Sequence, residues 1–68
     1  MKKVIVHFPN TNKDYTYQTD FDLLCGSLYE IEADNSIKYG APVMIVKYTN
    51  VPTKFALRTI TKAQRIII

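Results

Sequence analysis

The chain has few of the residues that build disulfide-stapled or catalytic small proteins. Cys25 is its one cysteine, which excludes an intrachain disulfide and a cysteine-based zinc site within one chain. The two glycines, Gly26 and Gly40, are too far apart to form a phosphate-cradling loop. His7 is the only histidine, and no nucleophile motif surrounds Cys25, so we expect no catalytic residue. The sequence therefore favours a protein that binds and is not an enzyme.

The chain is also short and contains no long apolar run. Its 68 residues predict a single small domain spanning residues 1–68. The apolar start is broken at His7 and Pro9, which argues against a signal peptide, and no later run has the length of a transmembrane helix. We expect a cytoplasmic protein without membrane association. No cofactor or metal site is expected either, because Asp20 and Asp22 lack the rest of a calcium loop.

Acidic residues are missing from the second half of the chain. All six acids lie between positions 14 and 34, whereas the residues from 36 to 68 contain six bases and no acid. If this segregation survives folding, one side of the domain carries a positive field that attracts phosphates or an acidic protein. The alternative is that neighbouring strands interleave and mix the two sets of charges.

What the sequence does contain is short stretches of β-branched and aromatic residues with a period of two. This alternation predicts strands at residues 3–8, 14–19, 28–33, 41–49 and 55–61. The turn residues 10–13 join the first two strands into a hairpin. The run at 41–49 is the most apolar, so we expect it to be the central strand, with Pro42 at its start.

The same patterns predict which side chains are buried. Tyr15 and Tyr17 are expected in the core, while Cys25 is expected to be a small core cysteine. In the third strand, Tyr29 and Ile31 should face inward, and Glu30 and Glu32 should face solvent. We expect a helical turn at residues 20–24 capped by Asp20, a turn at 34–36, and a short tail from Lys62.

Five short strands in so small a chain predict an all-β fold, a five-stranded SH3-like or OB-like partly open barrel. Closure of this kind hides strand edges that otherwise aggregate. Barrels of this type serve as binding platforms more often than as enzymes.

The stretch from Phe8 to Leu23, followed by Gly26, a strand, Tyr39-Gly40 and Val43-Met44-Ile45-Val46, resembles a group of short phage and prophage proteins. Its layout is also similar to the N-terminal domain of the primosomal helicase, which grips a DNA 3′ end. This resemblance covers about two-thirds of the chain and implies an SH3-like barrel. Cys25-Gly26-Ser27 departs from the family pattern of a glycine followed by an acid, so the resemblance transfers no functional residue.

The bases of the second half predict a nucleic-acid-binding surface. Lys38-Tyr39 and Lys47-Tyr48 each place a phosphate-seeking cation beside a ring able to stack on a base. The remaining bases extend this positive set. The candidate nucleic-acid-binding residues are Lys38, Tyr39, Lys47, Tyr48, Lys54, Arg58, Lys62 and Arg65.

The alternative is a protein-interaction module that docks on a host protein through an acidic strip or an exposed strand edge. That strip comprises Asp20, Asp22, Glu30, Glu32 and Asp34. The apolar end 66–68 either finishes the last strand or pairs with a partner, including a second copy of the chain in a homo-oligomer.

Overall fold

The computed structural model describes residues 1–34 and 37–67, with the side chains of 1–34 and 42–67. Five strands make up one antiparallel sheet, and the described residues contain no helix. The strands are β1 (Lys2–Phe8), β2 (Lys13–Thr19), β3 (Leu28–Ala33), β4 (Ile37–Thr49) and β5 (Ile60–Arg65). Their order in the sheet is β2-β1-β4-β3-β5, so β4 is central as expected.

The sheet curls until its two ends almost meet. Val46 has no partner between the pairs Ile5↔Lys47 and Val6↔Ile45, and the register of β3 with β5 shifts between Glu32 and Ala33. Such bulges increase the bend and twist of a strand. The ends of the sheet are joined by a parallel bridge between Gln18 and Thr59. The prediction of an all-β, partly open five-stranded barrel is therefore confirmed.

The inward residues of the strands meet in one core. Its fully buried side chains are Val4, Val6, Thr19, Ile31, Val43 and Ile45, with Tyr17, Leu23, Tyr29, Ala33 and Ile60 nearly so. As predicted, Tyr29 and Ile31 face inward and Glu30 is exposed, while Glu32 is half-buried. Burying an aliphatic side chain of this size contributes about 1.5–3 kcal/mol to folding. The apolar residues at alternate positions of β1, β3 and β4 therefore stabilise the curved sheet.

Two tyrosine hydroxyls explain why residues 20–24 form no helical turn. The N–H of Leu23 donates to the hydroxyl of Tyr48 over 2.7 Å, and the N–H of Leu24 donates to that of Tyr29 over 2.9 Å. These backbone groups are satisfied by side chains of β4 and β3, so they need no helical partner. The predicted helical turn capped by Asp20 is wrong.

The last strand begins later than predicted. Residues 55–59 precede β5, with Phe55 exposed and Leu57 half-buried, and the predicted tail from Lys62 forms most of β5. Ile60 fills the core beside Ala33, which fixes the register of β5 on β3. The predicted strand 55–61 is therefore wrong over its first five residues, because that segment lies before β5 and does not pair along β3.

Pro42 lies inside β4, not at its start. Ile45 directs its backbone groups toward β3, since it donates to Ser27 O over 3.1 Å. By strand alternation Pro42 faces the β1 side, beyond the last β1–β4 pair, His7↔Met44. A proline there removes no ladder hydrogen bond, which is why the strand continues through it. The predicted turn at 34–36 includes residues 35 and 36, which are outside the described part of the chain.

Candidate functional site

The region where the sheet nearly closes is the most distinctive surface of the molecule. Gln18 N–H donates to Arg58 O over 3.0 Å, and its side-chain Nε2 donates to Thr59 Oγ1 over 2.8 Å. The same Nε2 lies 3.4 Å from Leu57 O. We call this junction the seam. It ties β2 to the segment before β5, although the two lie about 40 residues apart in sequence.

Beyond the seam the two sides separate and leave a groove of about 270 Å³. One wall is β2 and the other is the segment before Thr59. We call it the seam groove, and its lining consists of Tyr15, Thr16, Tyr17, Phe55, Ala56, Leu57 and Arg58. Among these described lining residues there is one cation and no carboxylate.

Two aromatic rings of the seam groove are open to solvent. Phe55 is 69% exposed and Tyr15 is 48% exposed. The prediction that Tyr15 is a core residue is therefore wrong; its ring packs edge to face against Phe8, with centroids 5.4 Å apart and an interplanar angle of 84°. Of Tyr15 and Tyr17, only Tyr17 is buried. Exposed rings on both walls leave flat apolar surface on which a planar ligand can stack.

Arg58 supplies the positive charge in the lining of this groove. Arg58 lies in the lining and its guanidinium donates to Asp34 O over 3.4 Å. The carboxylate of Asp34 accepts a hydrogen bond from Thr59 N–H over 2.5 Å. Lys54 is exposed and directly precedes Phe55. The groove thus combines one lining cation with exposed rings, and Asp34 of the predicted acidic strip is hydrogen-bonded to that cation and to Thr59.

Three of the other predicted bases, Lys47, Lys62 and Arg65, lie on β4 and β5 and do not line the groove. Lys47 is on the outer face of β4 opposite Ile5. Lys62 is 3.5 Å from Glu32 across the β3–β5 pair, and Arg65 is exposed opposite Tyr29. Strand pairing therefore places acids beside bases at β5. This is the mixed arrangement given above as the alternative to a single basic face.

Of the predicted stacking tyrosines, Tyr48 has a structural role. Its hydroxyl accepts from Leu23 N–H and lies 3.2 Å from Phe21 O and 3.3 Å from Leu23 O. Its ring is half-buried, packs against the core, and has the Lys2 ammonium 5.4 Å from its centroid. This ring is already covered, so it offers little surface to a base. Lys38 and Tyr39 lie in β4, but their side chains are outside the described part of the structure.

The predicted acidic strip is divided between different surfaces. Asp20 and Asp22 lie in the loop after β2, whereas Glu30 and Glu32 project from the outer face of β3. Asp22 forms an ion pair with Lys2. Their hydrogen bond raises the pKa of the Lys2 ammonium and lowers the pKa of the Asp22 carboxyl. The strip does not form one continuous acidic surface.

A second cavity of about 510 Å³ lies at the start of β1, lined by Met1, Lys2, Lys3, Tyr48, Thr49 and Asn50. Its cations already have partners, because Lys2 pairs with Asp22 and Lys3 Nζ donates to Val51 O over 3.1 Å. It contains no exposed ring, since Tyr48 is half-buried. This cavity therefore lacks the exposed aromatic rings found at the seam groove.

Several kinds of site are not seen in the described residues. They contain no group of three metal-ligating side chains, and none of their elements is a helix long and apolar enough to cross a membrane. His7 Nδ1 lies 2.6 Å from Asp14 Oδ1 on the outer face of the hairpin. Cys25, predicted to be a core residue, is exposed in a turn at Gly26, whose φ is 87°.

Sequence reasoning missed Tyr15, Thr16 and Phe55 as site residues. Lys54-Phe55 is a third pairing of a cation with a ring, of the same kind as Lys47-Tyr48, and this signal was present in the sequence. No family model, no curated protein and no solved structure matches the chain.

Proposed function

We propose that the protein binds single-stranded nucleic acid in the seam groove. The observation that carries the proposal is the pair of exposed rings, Tyr15 and Phe55, in a groove whose one charged lining residue is Arg58. Proteins that hold single strands combine aromatic platforms for bases with cations for phosphates. Here Tyr15 and Phe55 stack on bases, while Arg58 and Lys54 contact the backbone.

A single strand fits this groove better than a duplex does. Stacking on Tyr15 or Phe55 requires the flat face of a base, and a duplex buries those faces between its base pairs. The overall charge of +3 adds a general attraction for phosphate.

The proposal uses part of the basic set predicted from the sequence. Arg58 lines the seam groove and Lys54 directly precedes its lining residue Phe55, whereas Lys62 lies on β5 beside Glu32 and the hydroxyl of Tyr48 is bonded to backbone groups. Docking of a host protein through the acidic strip has less support, because those carboxylates lie on separate surfaces.

Fluorescence anisotropy with labelled oligothymidine, oligouridine and a duplex of equal length tests the proposal. We expect the single strands to bind more tightly than the duplex, with affinity falling as salt rises by the modest slope that two phosphate contacts give. Phe55→Ala should cost about 1–3 kcal/mol of binding free energy, the value of one stacked base. Phe21→Ala, which removes an exposed ring away from the groove, should leave affinity unchanged.

A pair of charge variants separates the seam groove from the wider basic set. Arg58→Gln should lower the salt slope by about one unit, while Arg65→Gln on β5 should not change it. Equal losses from the two variants would indicate nonspecific attraction and contradict a defined site. Absence of binding to both single strands at low salt would refute the function itself.

A further inference from the structure

The wall of the seam groove that β2 forms is a strand edge left unpaired at Thr16 in the described structure. β2 is an outer strand, and Gln18 N–H points away from β1 because it donates to Arg58 O over 3.0 Å. Backbone groups two residues apart in a strand point the same way, so the N–H and C=O of Thr16 also point away from β1. Among the described residues, neither group has a hydrogen-bond partner on that side.

Thr16 lies between the rings that form one wall of the groove. Tyr15 and Tyr17 flank it, and Ala56 and Leu57 line the opposite wall. The chain before Thr59 is joined to β2 at Gln18 and then diverges, so it does not pair with Thr16. An adjacent donor and acceptor are therefore presented beside the aromatic surface.

We infer that the backbone N–H and C=O of Thr16 hydrogen-bond to the Watson–Crick edge of an unpaired base stacked in the seam groove. This inference rests on the proposed function and adds to it. Each nucleobase carries a donor next to an acceptor on that edge, which single strands leave open. The contact selects bases whose pairing edge is free, and it tolerates any sequence.

The two free edges of the sheet differ in a way that supports this assignment. β5 carries Lys62 and Arg65, the kind of charged residues that protect an edge against strand pairing. On β2, the residues Tyr15, Thr16 and Tyr17 carry no charge and no proline. The edge at Thr16 is thus open to a ligand, while the charged side chains of β5 disfavour pairing at its edge.

Binding of the full chain to oligothymidine and to oligo-N3-methylthymidine tests the inference. The methyl group removes the N3–H donor and blocks the pairing edge, while the stacking face is kept. We expect the wild-type protein to bind the methylated strand roughly tenfold or more weakly, as for loss of a good base contact. Equal affinity for the two strands would overturn the inference while leaving the proposed function in place.

Substitutions at one position separate backbone from side chain. Thr16→Pro removes the outward N–H without removing a ladder bond, as edge strands tolerate. The carbonyl that accepts from N3–H remains, so this variant should bind the unmodified strand more weakly than the wild type and show a smaller difference between the two strands. Thr16→Val keeps the N–H and should behave as the wild type. If Thr16→Pro does not fold, the comparison of the two strands on the wild-type protein still tests the inference.

Binding of an alternating valine–threonine hexapeptide, with no binding of either oligonucleotide, would refute both proposals and assign the edge to strand addition.

Discussion

The side-chain amide of Gln18 donates a hydrogen bond to Thr59 Oγ1 over 2.8 Å, across 41 positions of sequence. Gln18 is in β2 and Thr59 directly precedes β5, so this bond joins the two ends of the sheet. The same junction sets where the walls of the seam groove begin to diverge. The bonds from Gln18 to residues 57–59 therefore hold the ends of the sheet together and position the walls of the candidate site.

Loss of this contact should loosen the barrel. Gln18→Ala removes the bonds to Thr59 and Leu57, and we expect it to lower the free energy of unfolding by about 1–2 kcal/mol. Urea denaturation measures the change. Gln64→Ala, an exposed amide on β5, is the matched control and should stay within about 0.5 kcal/mol of the wild type.

A double-mutant cycle isolates the bond itself. Thr59→Val removes the acceptor, and the double variant should lose less stability than the sum of the two single losses. Additive losses would mean that Gln18 and Thr59 do not interact in solution.

Removal of the Tyr48 hydroxyl separates a structural role from a binding role. Tyr48→Phe leaves the N–H of Leu23 without its acceptor, so we expect a loss of about 1–3 kcal/mol in unfolding free energy. Oligothymidine affinity should not change at temperatures where the variant is folded. Tyr15→Phe is the control, because no hydrogen bond of its hydroxyl is seen in the described structure, and it should keep wild-type stability. A binding loss in folded Tyr48→Phe would restore Tyr48 as a contact residue.

The ion pair of Lys2 and Asp22 predicts a defined pH dependence. The pKa of Asp22 is lowered from its ordinary value of 3.8, so the pair stabilises the fold above that value and ceases to do so as pH falls through the lowered pKa. The pKa of Lys2 is raised from 10.5, so its contribution is lost as pH rises through the raised pKa. NMR titration of the Asp22 carboxyl carbon measures the pKa of Asp22 directly.

Two lysine variants check the cause of this shift. Lys2→Gln should return the Asp22 pKa toward 3.8, because the hydrogen bond to Lys2 is its main cause. Lys3→Gln should leave it low, since Lys3 Nζ donates to Val51 O. An Asp22 titration insensitive to Lys2→Gln would show that the pair is not formed in solution.

The sequence predicted the elements whose burial follows a regular period. In β3, Tyr29 and Ile31 alternate with Glu30 and Glu32, and the structure buries the first pair and turns the second outward or to the rim. The apolar run around Val43 could only be a strand covered by neighbours on both sides. These predictions succeed because local alternation and burial agree.

The seam was beyond the reach of local patterns. Nothing marks Gln18 and Thr59 as partners, and the alternation of Phe55 and Leu57 is the same whether they lie in a strand or beside one. The register of β5 depends on Ile60 reaching the core next to Ala33, which is a long-range contact. The same limit applied to Tyr48, whose hydroxyl partners are backbone groups of a distant loop.

The central claim is that a single strand occupies the seam groove. Titration of ¹⁵N-labelled protein with oligothymidine, followed by amide chemical shifts, tests it most directly. If the strand occupies this groove, the largest shifts fall on the amides of Thr16, Tyr17 and Leu57, with little change at Gln64 and Arg65. Shifts concentrated instead at Lys47, Lys62 and Arg65, with the amides of the seam groove unmoved, would contradict it.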